Sequence, residues 1–277
     1  MKYICETFDS IDKMLSVLDK RSPNKIWEGH HQTSNDEDSS FSGTKSYADA
    51  VELIKKGWEE PVKDLKNAQT ALRVKANGST LKTRPRNSVV GYAPCVPAAI
   101  LGLPESMIAT ERTPQKIKAV SIIYCSDASG STPTKEFLKC GAVVLNIVNE
   151  LELKGYRVRL VNEFTGAKRG NEALISRVVL KDWRQPLDLK KITFPLAHSS
   201  MCRRFSFRYT ETQPELRDTG WRGGYGAPLG ARGYNEVVKA YKKEGLLTDN
   251  EYYINLQMVK KNDYDMQKVM EQAGMKL

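Results

Sequence analysis

An aspartate and two serines stand at alternate positions in Asp127-Ala128-Ser129-Gly130-Ser131, directly after a run that carries Val120, Ile122 and Ile123. A carboxylate and two hydroxyls spaced in this way around a turn can point at one spot. Oxygen-only ligands of this kind suit a hard divalent cation, Mg²⁺ or Mn²⁺. One carboxylate against a dication leaves net positive charge, so such a site invites an acidic oxygen from a partner. Without a metal, the same three side chains would close the turn and cap the helix that follows. Both readings stand at this point.

The flanking residues determine how that turn is held. The β-branched run predicts a buried strand over 117–124. After Ser131, Thr134 is placed to cap a helix in which Phe137, Cys140, Gly141, Val144, Val148 and Leu151 recur at helical spacing. Ala142, Val143, Leu145 and Ile147 fill much of the remaining circumference, which predicts a helix buried against a sheet. Gly155 supplies its stop. A second strand over 156–164 follows, then a turn containing Gly166 and Gly170, then a third strand over 174–180. Strand, buried helix, strand predicts a crossover with parallel strands, and the short glycine-bearing link predicts an antiparallel hairpin.

That order, with Asp-x-Ser-x-Ser after the first strand, resembles the von Willebrand factor A domain and its metal-ion-dependent adhesion site over 116–180. The resemblance implies an α/β, Rossmann-like, mostly parallel sheet with one antiparallel edge strand. It also implies that Asp127, Ser129 and Ser131 hold the cation, with a partner's carboxylate completing the shell. The family pattern adds a threonine from a second loop and an aspartate from a third; by chain order the candidates here are Ser199, Ser200 and Asp218. A second resemblance rests on Phe41-Ser42-Gly43 with Ser46 and Gly57-Trp58, on Val96-Pro97 with Gly102-Leu103-Pro104 and Met107, and on Phe194-Pro195-Leu196-Ala197-His198 with Arg203-Arg204. This set is similar to an uncharacterised family of tailed-bacteriophage and prophage proteins, which implies a setting in the host bacterial cytoplasm or the virion.

Composition suits a folded globule: 277 residues, 40% hydrophobic and 27% charged, enough chain for a substantial core. No segment has the length and apolarity of a membrane span, and Met1-Lys2-Tyr3-Ile4-Cys5-Glu6 lacks the apolar core of a signal peptide. The net charge of +10 raises nucleic acid as an alternative partner, through Arg203, Arg204, Arg208, Arg222 and Arg232 with interleaved aromatics. A solvated basic surface accounts for the same charges. The five cysteines match neither a zinc motif nor a disulfide framework, and Cys125 and Cys140 fit a core. Cys202 and His198, at helical spacing, would make a nucleophile and base. His30-His31 lacks a third ligand nearby.

Three regions follow. Residues 1–80 predict a helical N-terminal region, with helix-like spacing over 8–18, an acidic loop over 32–40, a helix opened by Ser46 and stopped by Gly57, and another opened by Pro61. Residues 81–115, broken by prolines and glycines, predict an irregular connector. Residues 116–277 form the α/β domain, with a helix over 188–197, a glycine-rich loop over 221–233 that fits no phosphate-binding fingerprint, a strand over 251–259 and a closing helix over 266–275. The function expected is a metal-dependent protein-binding module. An enzyme, such as a metal-dependent phosphoryl hydrolase, is the lesser expectation, because the chain supplies no second carboxylate or histidine near Asp127 as a base.

Overall fold

The computed structural model describes residues 2–23, 39–58, 81–114, 118–167, 172–213, 225, 227–229 and 233–275. The protein is α/β, built on a five-stranded sheet in the order β1-β7-β6-β5-β8. Its strands are β1 (Lys2–Phe8), β5 (Ala119–Cys125), β6 (Arg157–Ala167), β7 (Glu172–Lys181) and β8 (Glu251–Asn255). Three of the four pairings are parallel, and β6 with β7 is antiparallel, as the glycine-bearing link predicts. This pattern is consistent with a Rossmann-like fold.

The antiparallel pair lies inside the sheet, because β1 adds beyond β7 with Ile4 opposite Leu174. The N-terminal region is therefore not wholly helical: it opens with an edge strand. Helix α1 (Ile11–Lys20) follows, with the Ser10 side chain accepting from the Lys13 N–H. Then come α2 (Ser39–Ser42) and α3 (Tyr47–Lys56), capped by Ser46 and ended at Gly57 with φ of 87°. The Pro61 helix, the acidic loop over 32–38 and His30-His31 lie outside the described residues.

Residues 81–114, expected to be an irregular connector, carry strands instead. They form a separate antiparallel sheet from β2 (Leu81–Ser88), β3 (Ala93–Pro94) and β4 (Met107–Pro114), with the short α4 (Val96–Ile100) between β3 and β4. Pro85 is tolerated because β2 is an edge strand, whose outward positions need no ladder N–H. Val90, between β2 and β3, and Ile100, at the end of α4, are 78% and 79% exposed.

Alternation along β5 sets the layers of the main sheet. Ile122 and Tyr124 face one side, with α5 (Thr134–Leu153), α6 (Leu189–Ala197), α9 (Leu256–Lys261) and α10 (Met266–Gln272). Ile123 and Cys125 face the other, against α8 (Tyr234–Lys243) through Val237 and Tyr241. The α5–α6 contact depends on Gly141, where a Cβ would lie 2.6 Å from Ala197 Cβ and 2.7 Å from the Leu196 carbonyl oxygen. The 251–259 run divides at Asn255, whose side chain accepts from the Met258 N–H and turns the chain from β8 into α9. Past α6 the chain enters a π-helical turn, Met201–Ser206, which runs directly into α7 (Phe207–Thr212).

Candidate functional site

The parallel register of β5 and β6 brings the site together. Cys125 lies opposite Glu163, and the Ser126 N–H continues the ladder by donating to the Glu163 carbonyl. Two residues further on, Asp127 therefore meets Thr165. The Thr165 backbone N–H and its hydroxyl both donate to Asp127 Oδ2, the hydroxyl at 2.7 Å. The Thr165 Oγ1 in turn accepts from the Leu229 N–H. Sequence reasoning did not single out Thr165, which lies on β6 and not in a loop.

Asp127 is 5% exposed, and the partners of its carboxylate among the described residues are neutral. Besides Thr165, the Cys125 thiol lies 3.6 Å from Oδ2 and the Cys202 thiol 3.8 Å from Oδ1. Burial pushes the carboxyl up to about 7, against the pull of the two Thr165 hydrogen bonds. The same burial holds Cys202 up to about 12, so it stays a neutral thiol. Asp127 lines a small cavity of about 170 Å³ with Ser129, Thr165, Cys202, Ser206 and Tyr225.

Ser129 and Ser131 are exposed, with their hydroxyl oxygens 3.0 Å apart, and Ser129 Oγ is also 3.3 Å from Thr132 Oγ1. Helix α5 has Pro133 at its N-cap and no side-chain cap, so neither Thr134 nor the Asp-x-Ser-x-Ser residues cap it. The serines close the turn, and the backbone of that turn is held from below by Arg203. Its guanidinium donates to the carbonyls of Thr132 at 2.6 Å, Gly130 at 3.3 Å and Ser129 at 3.4 Å, and to the Phe41 carbonyl, while stacking over the Phe41 ring.

Arg203 and Arg204 are thus not a surface for nucleic acid. They are 3% and 0% exposed, and Arg204 donates to the Thr44 carbonyl at 2.7 Å. Buried guanidiniums that collect carbonyls are structural cations. Arg208 is half-buried over the Tyr47 ring, and Arg222 and Arg232 lie outside the described residues. Ser199 and Ser200 do not turn to Asp127 either: both hydroxyls donate to the Ser42 carbonyl, at 3.0 and 2.7 Å. Asp218 lies outside the described residues. The Cys202 thiol faces Asp127 rather than His198, whose Nδ1 accepts from the Ser200 N–H.

Among the described residues, no three His, Cys, Asp or Glu side chains are grouped to hold a metal. A cation here would depend on one carboxylate oxygen, Asp127 Oδ1, and on the hydroxyls of Ser129 and Ser131. That donor set is hard and oxygen-only, and it suits Mg²⁺ or Mn²⁺ with water filling the remaining positions.

The profile of a family described as a domain of unknown function (DUF7192) matches residues 2–276. The chain belongs to that family. The match includes the edge strand, the β2–β4 arm and the Asp127 turn alike. Comparisons with curated proteins and with solved structures give no match. Among the described residues, no helix is long and apolar enough to cross a membrane.

Proposed function

We propose that this chain is a cation-dependent binding module. In this reading Asp127, Ser129 and Ser131 hold one Mg²⁺ or Mn²⁺, and the cation's open side takes an acidic side chain of a protein partner. The observation that carries it is the carboxylate of Asp127 at the C-terminal end of an inner strand, where open α/β sheets bind ligands, lining a cavity with no basic side chain paired to it among the described residues. Arg203 supports the reading in another way: it fixes the loop backbone without any ion, so the serine hydroxyls are held in place beforehand.

A hydrolytic role is less well supported. Glu163, the carboxylate on the adjacent strand, is engaged by Arg177 at 2.8 Å and by the Tyr241 hydroxyl at 2.9 Å, so it is not free to act as a base. The setting that accompanies the binding reading is the host bacterial cytoplasm or the virion, as the looser resemblance implies.

Calorimetric titration with Mg²⁺ and with Mn²⁺ tests the proposal. Wild type is expected to bind one cation, Asp127→Asn none, and Ser129→Ala one cation more weakly, since water can replace a neutral ligand. A flat trace for wild type would leave the Asp127 turn a purely structural element.

A further inference from the structure

A second and larger cavity, about 720 Å³, opens between the end of α3, the start of α5 and the end of α6. Small-molecule pockets span about 300–1,000 Å³ and combine apolar walls with a few convergent polar groups. Here Leu53, Leu138 and Trp58 supply the apolar wall, and Lys56, Lys135 and His198 the polar groups.

His198 is the informative residue. It is 9% exposed, stacked on Phe194 with ring centroids 4.6 Å apart and meeting Trp58 edge to face at 4.6 Å. Its Nδ1 accepts the Ser200 N–H at 3.1 Å, so in the neutral ring the proton sits on Nε2. Burial lowers the imidazole to about 4, which keeps the ring neutral at pH 7. The Nε2–H thus has no protein acceptor among the described residues, on a ring that lines the cavity. The Nε2–H is not sealed in the core but opens onto the cavity, where a ligand oxygen would take the place of water.

Two lysines share that wall, and neither is ion-paired among the described residues. At the start of α5 no side chain caps the helix; the Glu136 N–H donates to the Pro133 carbonyl, and those of Thr134 and Lys135 have no acceptor within the helix. The wall is held at fixed points by glycines. A Cβ at Gly43 would lie 2.9 Å from His198 Cε1, and one at Gly57 would lie 2.8 Å from the Lys190 carbonyl oxygen. Both have φ of +87°, a conformation that other residues rarely adopt.

We infer that this cavity binds a nucleoside monophosphate, the base lying against Trp58 and the leucines and the phosphate held between Lys56, Lys135 and the His198 Nε2–H. Two ammonium groups and a neutral donor match a dianion with three oxygens better than a single carboxylate. The apolar wall gives a flat ring a place that inorganic phosphate alone would leave empty.

Calorimetry on the full chain with the 5′-monophosphates of adenosine, guanosine, cytidine and uridine tests this, with adenosine and inorganic phosphate as separate arms. At least one nucleotide is expected to bind, and adenosine and phosphate to bind about tenfold more weakly or worse. The double variant Lys56→Ala/Lys135→Ala changes two exposed side chains and should fold normally, yet weaken the nucleotide by about tenfold or more. Asp127→Asn should leave it unchanged, which separates this site from the cation site. The inference is overturned if none of the four nucleotides binds at millimolar concentration, if the lysine variant binds as tightly as wild type, or if inorganic phosphate binds as well as the nucleotides.

Discussion

Two carboxylates lie buried at the same end of the main sheet, Asp127 after β5 and Glu163 near the end of β6, and their surroundings differ in one respect. Glu163 has a cation: Arg177 Nε at 2.8 Å, with the Tyr241 hydroxyl at 2.9 Å. Burial pushes the Glu163 carboxyl up and Arg177 pulls it back. Asp127 is as deeply buried, but two thiols and the two donors of Thr165 are the partners it has among the described residues. The contrast separates a finished structural ion pair from a carboxyl group that has no basic partner among the described residues. Asp127 also borders a cavity that something else could enter.

The contrast is broken most sharply at Arg177. Arg177→Met should leave Glu163 as an uncompensated buried charge and cost about 3–5 kcal/mol at neutral pH, read from urea denaturation. A loss below about 1 kcal/mol would mean that Glu163 carries no charge in the native state.

Asp127→Asn should act with the opposite sign. The folded carboxyl is raised to about 7 from an ordinary 3.8, so the native state binds the extra proton between those values. Its contribution is fully present below the unfolded value and is lost as pH rises through about 7. With chelator present, the variant is expected to match wild type near pH 4 and to exceed it by about 4 kcal/mol at pH 8. Denaturation curves at the two pH values check this, and a difference independent of pH would show that Asp127 does not titrate in this window.

The smallest effect is expected at Tyr241, which hydrogen-bonds to a Glu163 that keeps its arginine. Tyr241→Phe removes one hydrogen bond to a charged group, and the thermal midpoint should report a loss of about 1.5 kcal/mol. A larger loss would make the hydroxyl, and not Arg177, the main support of Glu163.

What was legible in the sequence follows from how local each signal is. The strand, helix, strand and hairpin around Asp127 were readable because apolar periodicity and glycine stops lie next to one another in the chain. The edge strand was not: Lys2–Phe8 is half exposed, and its partner β7 lies far along the chain, with Lys2 opposite Glu172. Proline-rich spacing hid the β2–β4 arm, since a proline on an edge strand costs no ladder hydrogen bond. Within the site, Asp127 stood out by its motif. Thr165 did not, because its role comes from a register between two strands and not from its neighbours in sequence. Arg203 and Arg204 were visible as charge, but composition does not show that a guanidinium is enclosed by carbonyls.

The π-helical turn Met201–Ser206 adds a constraint on how this chain can vary in length. A π turn closes its hydrogen bonds five residues apart, where an α turn uses four, so it amounts to a helix carrying one inserted residue. Consecutive residues of that turn reach three different places: Cys202 the Asp127 carboxylate, Arg203 the 129–132 carbonyls, and Arg204 the Thr44 carbonyl. Deleting any one residue of the turn would restore an ordinary helix with little change in helical content. It would also rotate that helix against the loop and uncouple all three anchors at once, so a substitution here is a local event and a deletion is not.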